Sequence, residues 1–368
     1  MKIPRTESAR GSKAACAVFF AFFFLTFAFD AYSIDPTNKL DFDGDGKADI
    51  AVYREGSAND RVSSQAYSAS YWYYLGSTSG FGSFPWGRTL DVPIPADYAG
   101  DSKTDPTIFR WFEPGLSPFV GNTFWISGGG VRGFGNTTGR KMGRNFVLET
   151  GGAPQKAEIG EFQHVNIFYD QDSVTPFYQY RLYWQIGSTN LDYIVTNVPS
   201  GQSASAYQQV PVPDDYSGDG KSEVAVFNTN TGCYHIWYGN TNDPFTPNCF
   251  GSGFTPAPGD YDGDGRVDYG VFKSTGTNSF QWQFINSQTN GTPTTYSLTT
   301  GWSGDGKPVA ADYDGDGKTD YSVAQSASGN WNWTIIKSGC SSCSPITATF
   351  GVNTDTLLAS PYFYDPWY

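Results

Sequence analysis

Histidine is almost missing from this 368-residue chain, which carries only His164 and His235. Neither belongs to a recognisable constellation, and both read as structural residues. No Gly-x-Ser-x-Gly elbow, His-Glu-x-x-His pair, P-loop or dinucleotide fingerprint occurs. Nucleophilic catalysis therefore has no candidate. Charged residues make up only 16% of the chain, and no long helical period of apolar residues is present. A formal charge of −13 argues against nucleic acid and anionic membrane surfaces as partners. Beyond the first thirty or so residues no segment is apolar for long enough to cross a membrane.

Aromatic residues, by contrast, reach 17%, alongside 43 glycines and 22 prolines, a composition that suits an all-β domain. Aspartates also cluster. In Asp312-Tyr313-Asp314-Gly315-Asp316-Gly317-Lys318-Thr319-Asp320 four carboxylates converge on one turn, and two glycines allow the left-handed backbone that such a turn needs. Carboxylates that close repel unless a hard cation lies among them, and calcium takes six to eight oxygens at about 2.3–2.6 Å. Asp312, Asp314, Asp316 and Asp320 are the expected side-chain ligands, with the backbone carbonyl of Lys318 added. The spacing begins like an EF-hand, yet the twelfth position is Val323 and β-forming residues follow, so the loop is expected to join two strands.

The loop recurs. Asp41, Asp43, Asp45, Lys47 and Asp49 form one further intact copy, and Asp260, Asp262, Asp264, Arg266 and Asp268 another. Two copies are eroded. Asp97, Asp101 and Asp105 flank Ala99 and Ser102 where Asp and Gly are expected, while Asp215, Asp219 and Glu223 flank Ser217. Three strong calcium sites and two weaker ones are expected. A sixth repeat, at Glu161, deletes the loop and should bind no metal. Repeat starts at 41, 97, 161, 215, 260 and 312 give the period of a four-stranded propeller blade of about 40–50 residues, stretched by longer loops. Each repeat carries a short apolar strand such as Ala51-Val52-Tyr53. A strand with Trp72, Trp125, Trp184, Trp237, Trp282 or Trp333 follows it, and Trp86-Gly87, Phe250-Gly251 or Phe350-Gly351 often comes next.

These loops, with the Ala-Val-Tyr or Ala-Val-Phe strand after them and Phe-Gly before them, resemble the FG-GAP and VCBS repeat family, which includes the calcium-binding propellers of integrin α subunits. The likeness covers residues 34–368. It implies an all-β propeller of four-stranded antiparallel blades, six by the repeat count and seven in integrin-type relatives. Residues after Phe350-Gly351 supply a leftover strand expected to pair near residues 39–56 and close the ring, which removes exposed sheet edges.

Residues 1–33 read as a signal peptide, with a basic start at Lys2, Arg5, Arg10 and Lys13, an apolar run from Ala14 to Phe29 and cleavage after Ser33. An uncleaved anchor is the alternative. The mature chain of residues 34–368 is then one exported domain, extracellular or at the cell surface and expected to be a monomer. Losing Cys16 leaves four cysteines, with Cys233–Cys249 and Cys340–Cys343 the expected disulfides. Long insertions at Glu55–Ser70, Trp111–Thr123 and Tyr169–Arg181 should share the face opposite the acidic loops. Tyr67, Tyr71, Trp111, Phe112 and Tyr178 on them could stack on sugar rings or grip a protein. A non-catalytic adhesion or carbohydrate-binding module for a glycan or an extracellular protein is the leading reading. The alternatives are a calcium-assisted polysaccharide lyase or dehydratase, for which Arg54 and Arg110 are the candidate basic residues, and a structural module of a surface assembly.

Overall fold

The computed structural model describes residues 40–56, 68–89, 91–110, 123–128, 130–133, 140–144, 158–169, 177–186, 209–238, 245–340 and 342–358. Residues 1–33, read above as a signal peptide and including Cys16, lie outside the described residues, as do Tyr67, Trp111 and Phe112.

Strands alone form the regular structure among these residues, grouped in small antiparallel sheets that follow one another along the chain. The first contains β1 (Ile50–Arg54), β2 (Ala69–Gly76) and β3 (Gly80–Arg88). The second contains β4 (Val92–Pro93), β5 (Thr107–Arg110), β6 (Thr123–Ile126) and β7 (Gly130–Gly133). β8 (Arg140–Arg144), β9 (Glu158–Tyr169) and β10 (Phe177–Ile186) form the third, and β11 (Gln209–Pro211), β12 (Val224–Asn228) and β13 (Cys233–Trp237) the fourth. The fifth is β14 (Thr255–Pro256), β15 (Tyr269–Gly276), β16 (Ser279–Ile285) and β17 (Thr294–Thr299). The sixth is β18 (Gly306–Pro308), β19 (Tyr321–Ala327), β20 (Asn330–Ile336) and β21 (Ile346–Val352). β22 (Thr356–Leu357) returns to the first sheet, where Leu357 pairs with Val52 and Thr356 with Tyr53.

The architecture is thus all-β and propeller-like. Among the described residues four sheets have the full four strands, fewer than the six four-stranded blades expected. In the fourth sheet the reason is local. The described segment that follows β13 carries Pro247, which cannot donate to a ladder. It is held instead by one bridge, Ile236 to Phe245, and by the Cys233–Cys249 disulfide. In the third sheet β9 runs unbroken for 12 residues through Glu161, as expected where the loop is deleted. It also reaches Tyr169, and β10 begins at Phe177, so the third insertion is shorter than the sequence suggested.

All six repeat tryptophans fall on strands, in β2, β6, β10, β13, β16 and β20. Trp72, Trp282 and Trp333 are almost completely buried. The Trp72 indole donates to Trp86 O at 2.9 Å and the Trp333 indole to Phe350 O at 3.0 Å. These bonds tie each tryptophan to the aromatic that precedes Gly87 or Gly351. Packing runs between sheets. One core joins Ile50, Val52 and Trp72 of the first repeat to Ile108 of the second and to Val309, Tyr313 and Trp333 of the last. Others join the fourth sheet to the fifth and the fifth to the sixth.

Candidate metal sites

Each acidic loop is closed at its base by backbone pairing. Ala96 bridges Asp105, Asp214 bridges Glu223, Gly259 bridges Asp268 and Ala311 bridges Asp320, while Asp49 N donates to Leu40 O at 2.7 Å. Within the closed turn the first carboxylate is wrapped by amides. Asp312 Oδ1 accepts from Gly315 N at 2.6 Å and Asp316 N at 3.2 Å, and its Oδ2 accepts from Gly317 N at 3.0 Å. Asp41, Asp97, Asp215 and Asp260 repeat the pattern. The ninth residue accepts from the second: Phe42 N to Asp49 at 2.8 Å, Tyr261 N to Asp268 at 3.1 Å and Tyr313 N to Asp320 at 3.0 Å. Even the eroded loop at 97 keeps this backbone, since Ser102 takes φ 67° where the other loops have glycine. A side chain in that region costs about 1–2 kcal/mol.

Four loops bring three carboxylate oxygens within 4.8 Å of one another, a geometry that could hold a metal ion. They are Asp41, Asp43 and Asp45; Asp215, Asp219 and Glu223; Asp260, Asp262 and Asp268; and Asp312, Asp314 and Asp316. No such group forms at Asp97, Asp101 and Asp105, where Ala99 supplies no oxygen. Two features of these loops are compatible with a cation. Asp43 Oδ1 is buried without a hydrogen-bond partner. The ninth-position acids are also pushed up, to about 7 for Asp49, Glu223 and Asp320 and about 8 for Asp268, first by burial and then by the neighbouring aspartates. An oxygen-ligated divalent cation fits both.

Sequence reading treated Lys47, Arg266 and Lys318 only as carbonyl donors and missed their side chains. A basic residue holds the seventh position of all five loops, and four of the five side chains cross to the preceding loop in space. Lys318 Nζ donates to Asp262 O at 2.8 Å, and Lys103 Nζ to Asp43 O at 3.2 Å. A Cβ at Gly315 would stand 3.0 Å from the Lys47 stem, and one at Gly218 would stand 2.7 Å from Arg266. Those glycines, at φ 79° and 74°, are thus required twice, for the turn and for the neighbour's stem. The eighth-position amides follow the same route: Thr104 N to Asp41 O, Ala48 N to Asp312 O, Thr319 N to Asp260 O and Val267 N to Asp215 O, all 2.7–2.9 Å. The five loops form one belt, and its Asp312–Ala48 link joins the last repeat to the first. A recurring aromatic at the second position was also legible but unused. Tyr98, Tyr216, Tyr261 and Tyr313 each donate to the carbonyl four residues earlier.

Arg54 and Arg110 do not face these loops. They end β1 and β5 at the far side of their sheets, where each forms a two-pronged pair with a buried aspartate: Arg54 with Asp355 at 2.7 Å and Arg110 with Asp91 at 2.6–2.8 Å. Asp91 in turn accepts from Arg88 N, and Asp355 from Val352 N. Both arginines thus pin the turn that follows an aromatic-glycine pair. They do not supply a base beside a metal. His235 Nδ1 contacts Thr246 Oγ1 at 2.9 Å, and burial lowers its affinity for a proton. His164 falls in β9 and Tyr178 in β10.

On the first sheet, Tyr71, Tyr73 and Phe81 form a row of near-parallel rings 6.1 and 6.3 Å apart, continued by Phe350 of the last sheet at 6.3 Å. Phe81 is 66% and Tyr71 40% exposed, and the Arg54 guanidinium lies 4.7 Å from the Tyr73 ring centre. Cys233–Cys249 and Cys340–Cys343 are both disulfides, as the sequence predicts.

A family model described as FG-GAP-like repeat matches residues 215–271 and 260–323. No curated protein matches the chain. Among solved structures, one of an Agrocybe aegerita lectin, described as recognising non-reducing terminal N-acetylglucosamine, is similar at 11% identity and a TM-score of 0.46. The match covers 84% of this chain and 92% of that one.

Proposed function

The chain is an FG-GAP repeat protein, and on that premise we propose that it is an exported, calcium-stabilised binding module without catalysis, whose partner is a glycan or an extracellular protein. The observation that carries this reading is the set of four three-carboxylate groups, one of them with a buried, partnerless oxygen. In the intact loops the ligands are the carboxylates at the first, third, fifth and ninth positions with the seventh carbonyl: Asp41, Asp43, Asp45, Lys47 and Asp49; Asp260, Asp262, Asp264, Arg266 and Asp268; and Asp312, Asp314, Asp316, Lys318 and Asp320. Asp215, Asp219 and Glu223 make a weaker site, and Asp97, Asp101 and Asp105 the weakest. Calcium supplies charge that locks each turn, and the protein's part is to hold oxygens at fixed spacing.

The two disulfides are consistent with an extracellular protein. Residues 1–33 act as a signal peptide and 34–368 as one domain in this reading. The aromatic row at Tyr71, Tyr73 and Phe81 supports stacking on a sugar ring or an apolar side chain. The pairing of Arg54 and Arg110 with buried aspartates speaks against the lyase alternative. Equilibrium dialysis of the mature chain should find at least three bound calcium ions. A glycan array and an extracellular-protein screen, each with and without EDTA, should find calcium-dependent binding that Phe81→Ala and Tyr71→Ala weaken. Failure to retain any divalent ion, or turnover of a polysaccharide to unsaturated uronic acids, would overturn the reading.

A further inference from the structure

Three serines occupy one equivalent place beside the three intact loops. Ser77, Ser287 and Ser338 each lie five residues after the repeat tryptophan, Trp72, Trp282 and Trp333, in the turn that follows β2, β16 and β20. Each amide donates to the ninth-position aspartate of its own repeat: Ser77 N to Asp49 Oδ1 at 2.9 Å, Ser287 N to Asp268 Oδ1 at 3.0 Å and Ser338 N to Asp320 Oδ1 at 2.8 Å. The repeats without an intact loop have other residues at that spacing. Gly130 follows Trp125, Thr189 follows Trp184 and Asn242 follows Trp237.

Two of the three hydroxyls have no hydrogen-bond partner that explains this pattern. Ser287 is 6% exposed, yet its Oγ has no hydrogen-bond partner, and Ser338 Oγ is likewise buried and partnerless. A buried hydroxyl left unpaired costs about 1–3 kcal/mol. Ser77 shows where such a group can turn, because its Oγ donates to Asp45 Oδ2, a fifth-position ligand of the first loop. Both partnerless oxygens sit three bonds from an amide already fixed on a ligand carboxylate.

We infer that Ser77, Ser287 and Ser338 are part of the metal sites, each contributing a hydroxyl oxygen from the hairpin to the cation held by the acidic loop. The inference rests on the calcium reading above. It accounts for the serine occurring with all three intact loops and with none of the others. It also couples each site to the β-hairpin of its blade, since ligand and turn become one unit.

The test is calcium titration calorimetry and thermal unfolding of the mature protein as wild type, as Ser287→Ala, as Ser338→Ala and as the triple alanine variant. In EDTA the Ser287→Ala and Ser338→Ala variants should melt at or above the wild-type temperature, because each removes an unpaired buried hydroxyl. In calcium, the affected site should lose about tenfold or more in affinity, the usual range for partners that support metal ligands. Wild-type affinity in the variants would overturn the inference while leaving the calcium sites standing. Equal loss of stability with and without calcium would assign the serines to packing and overturn it too. Absence of calcium binding by the wild type would remove the reading on which it rests.

Discussion

Replacing Asp43, Asp262 and Asp314 together by alanine takes the third-position carboxylate from every intact loop. The magnitude follows from mass action. A ligand that binds only the folded chain stabilises it by about 2.7 kcal/mol at a hundredfold excess over Kd, so three independent sites give about 8 kcal/mol. Unfolding entropy near 2.1 cal/mol/K per residue, over about 335 residues, converts that to about 10 °C in Tm. The substitutions have a cost of their own. Asp43 Oδ2 accepts from Thr78 N at 3.1 Å and Ser79 N at 2.8 Å, and both bonds are lost whether or not calcium is present. The informative quantity is therefore the difference between Tm in millimolar calcium and Tm in EDTA, in which that cost cancels. Scanning calorimetry should give a difference of about 10 °C for the wild type and little for the triple variant. A triple variant that keeps the full calcium shift would refute the assignment of these carboxylates, and a wild type with no shift would refute the sites themselves.

Acidity should act in the opposite sense to that of an ordinary salt bridge. Asp49, Asp268, Asp320 and Glu223 hold protons in the folded metal-free chain up to about pH 7–8, well above their unfolded values. The folded state then binds more protons between about pH 4 and those values, so stability in EDTA should fall as pH rises through that window. Calcium should abolish the slope and release protons on binding, measurable in a lightly buffered titration; a flat profile in EDTA would refute the burial argument. Arg110→Met leaves the buried Asp91 without its guanidinium partner, which should cost about 3–5 kcal/mol by urea unfolding without lowering calcium affinity. Reducing Cys233–Cys249, which closes a loop of sequence separation 16, should cost about 3 kcal/mol, whereas Cys340–Cys343, at separation 3, closes far less chain. Urea curves for Cys233→Ser/Cys249→Ser and Cys340→Ser/Cys343→Ser should separate the two, and equal losses would contradict the loop argument.

Much of this fold was legible because its signals are local and repeated. The loop at 312–320 shows its turn in its glycines, and each tryptophan marks a strand because six repeats place it at one point in the blade. Both disulfides were readable for the same reason, each bridging neighbours along the chain. What was not legible depends on which parts of distant repeats touch. Lys47 and Gly315 are far apart in sequence, so the crossing of one loop's cation onto the next could be seen only as an unexplained basic residue at five seventh positions. Arg54 looked available for chemistry because its partner, Asp355, lies some 300 residues away at the other end of the chain. The fourth sheet fell short where Pro247 follows the single bridge of Phe245, since proline cannot donate to a ladder. The serines at 77, 287 and 338 were present as a spacing, but nothing in the letters alone ties a hairpin serine to an acidic loop.

The belt of loops shows how a cation bound at one loop would act on the neighbouring repeat. Asp41 uses its carboxylate inside its own turn and its carbonyl outside it, accepting from Thr104 N of the following repeat; Asp215, Asp260 and Asp312 do the same with Val267, Thr319 and Ala48. The residue that a cation would fix is thus the residue on which the adjacent blade hangs. Freeing one loop therefore loosens an inter-blade contact as well as a turn. Because the Ala48–Asp312 bond joins the first repeat to the last, it shares the work of the β22–β1 pairing at the seam. A blade on its own would bury one face of its sheet at most, since the tryptophan cores lie between sheets. Stability then belongs to the succession of contacts, and charge balance in each loop sets how firmly every contact is made.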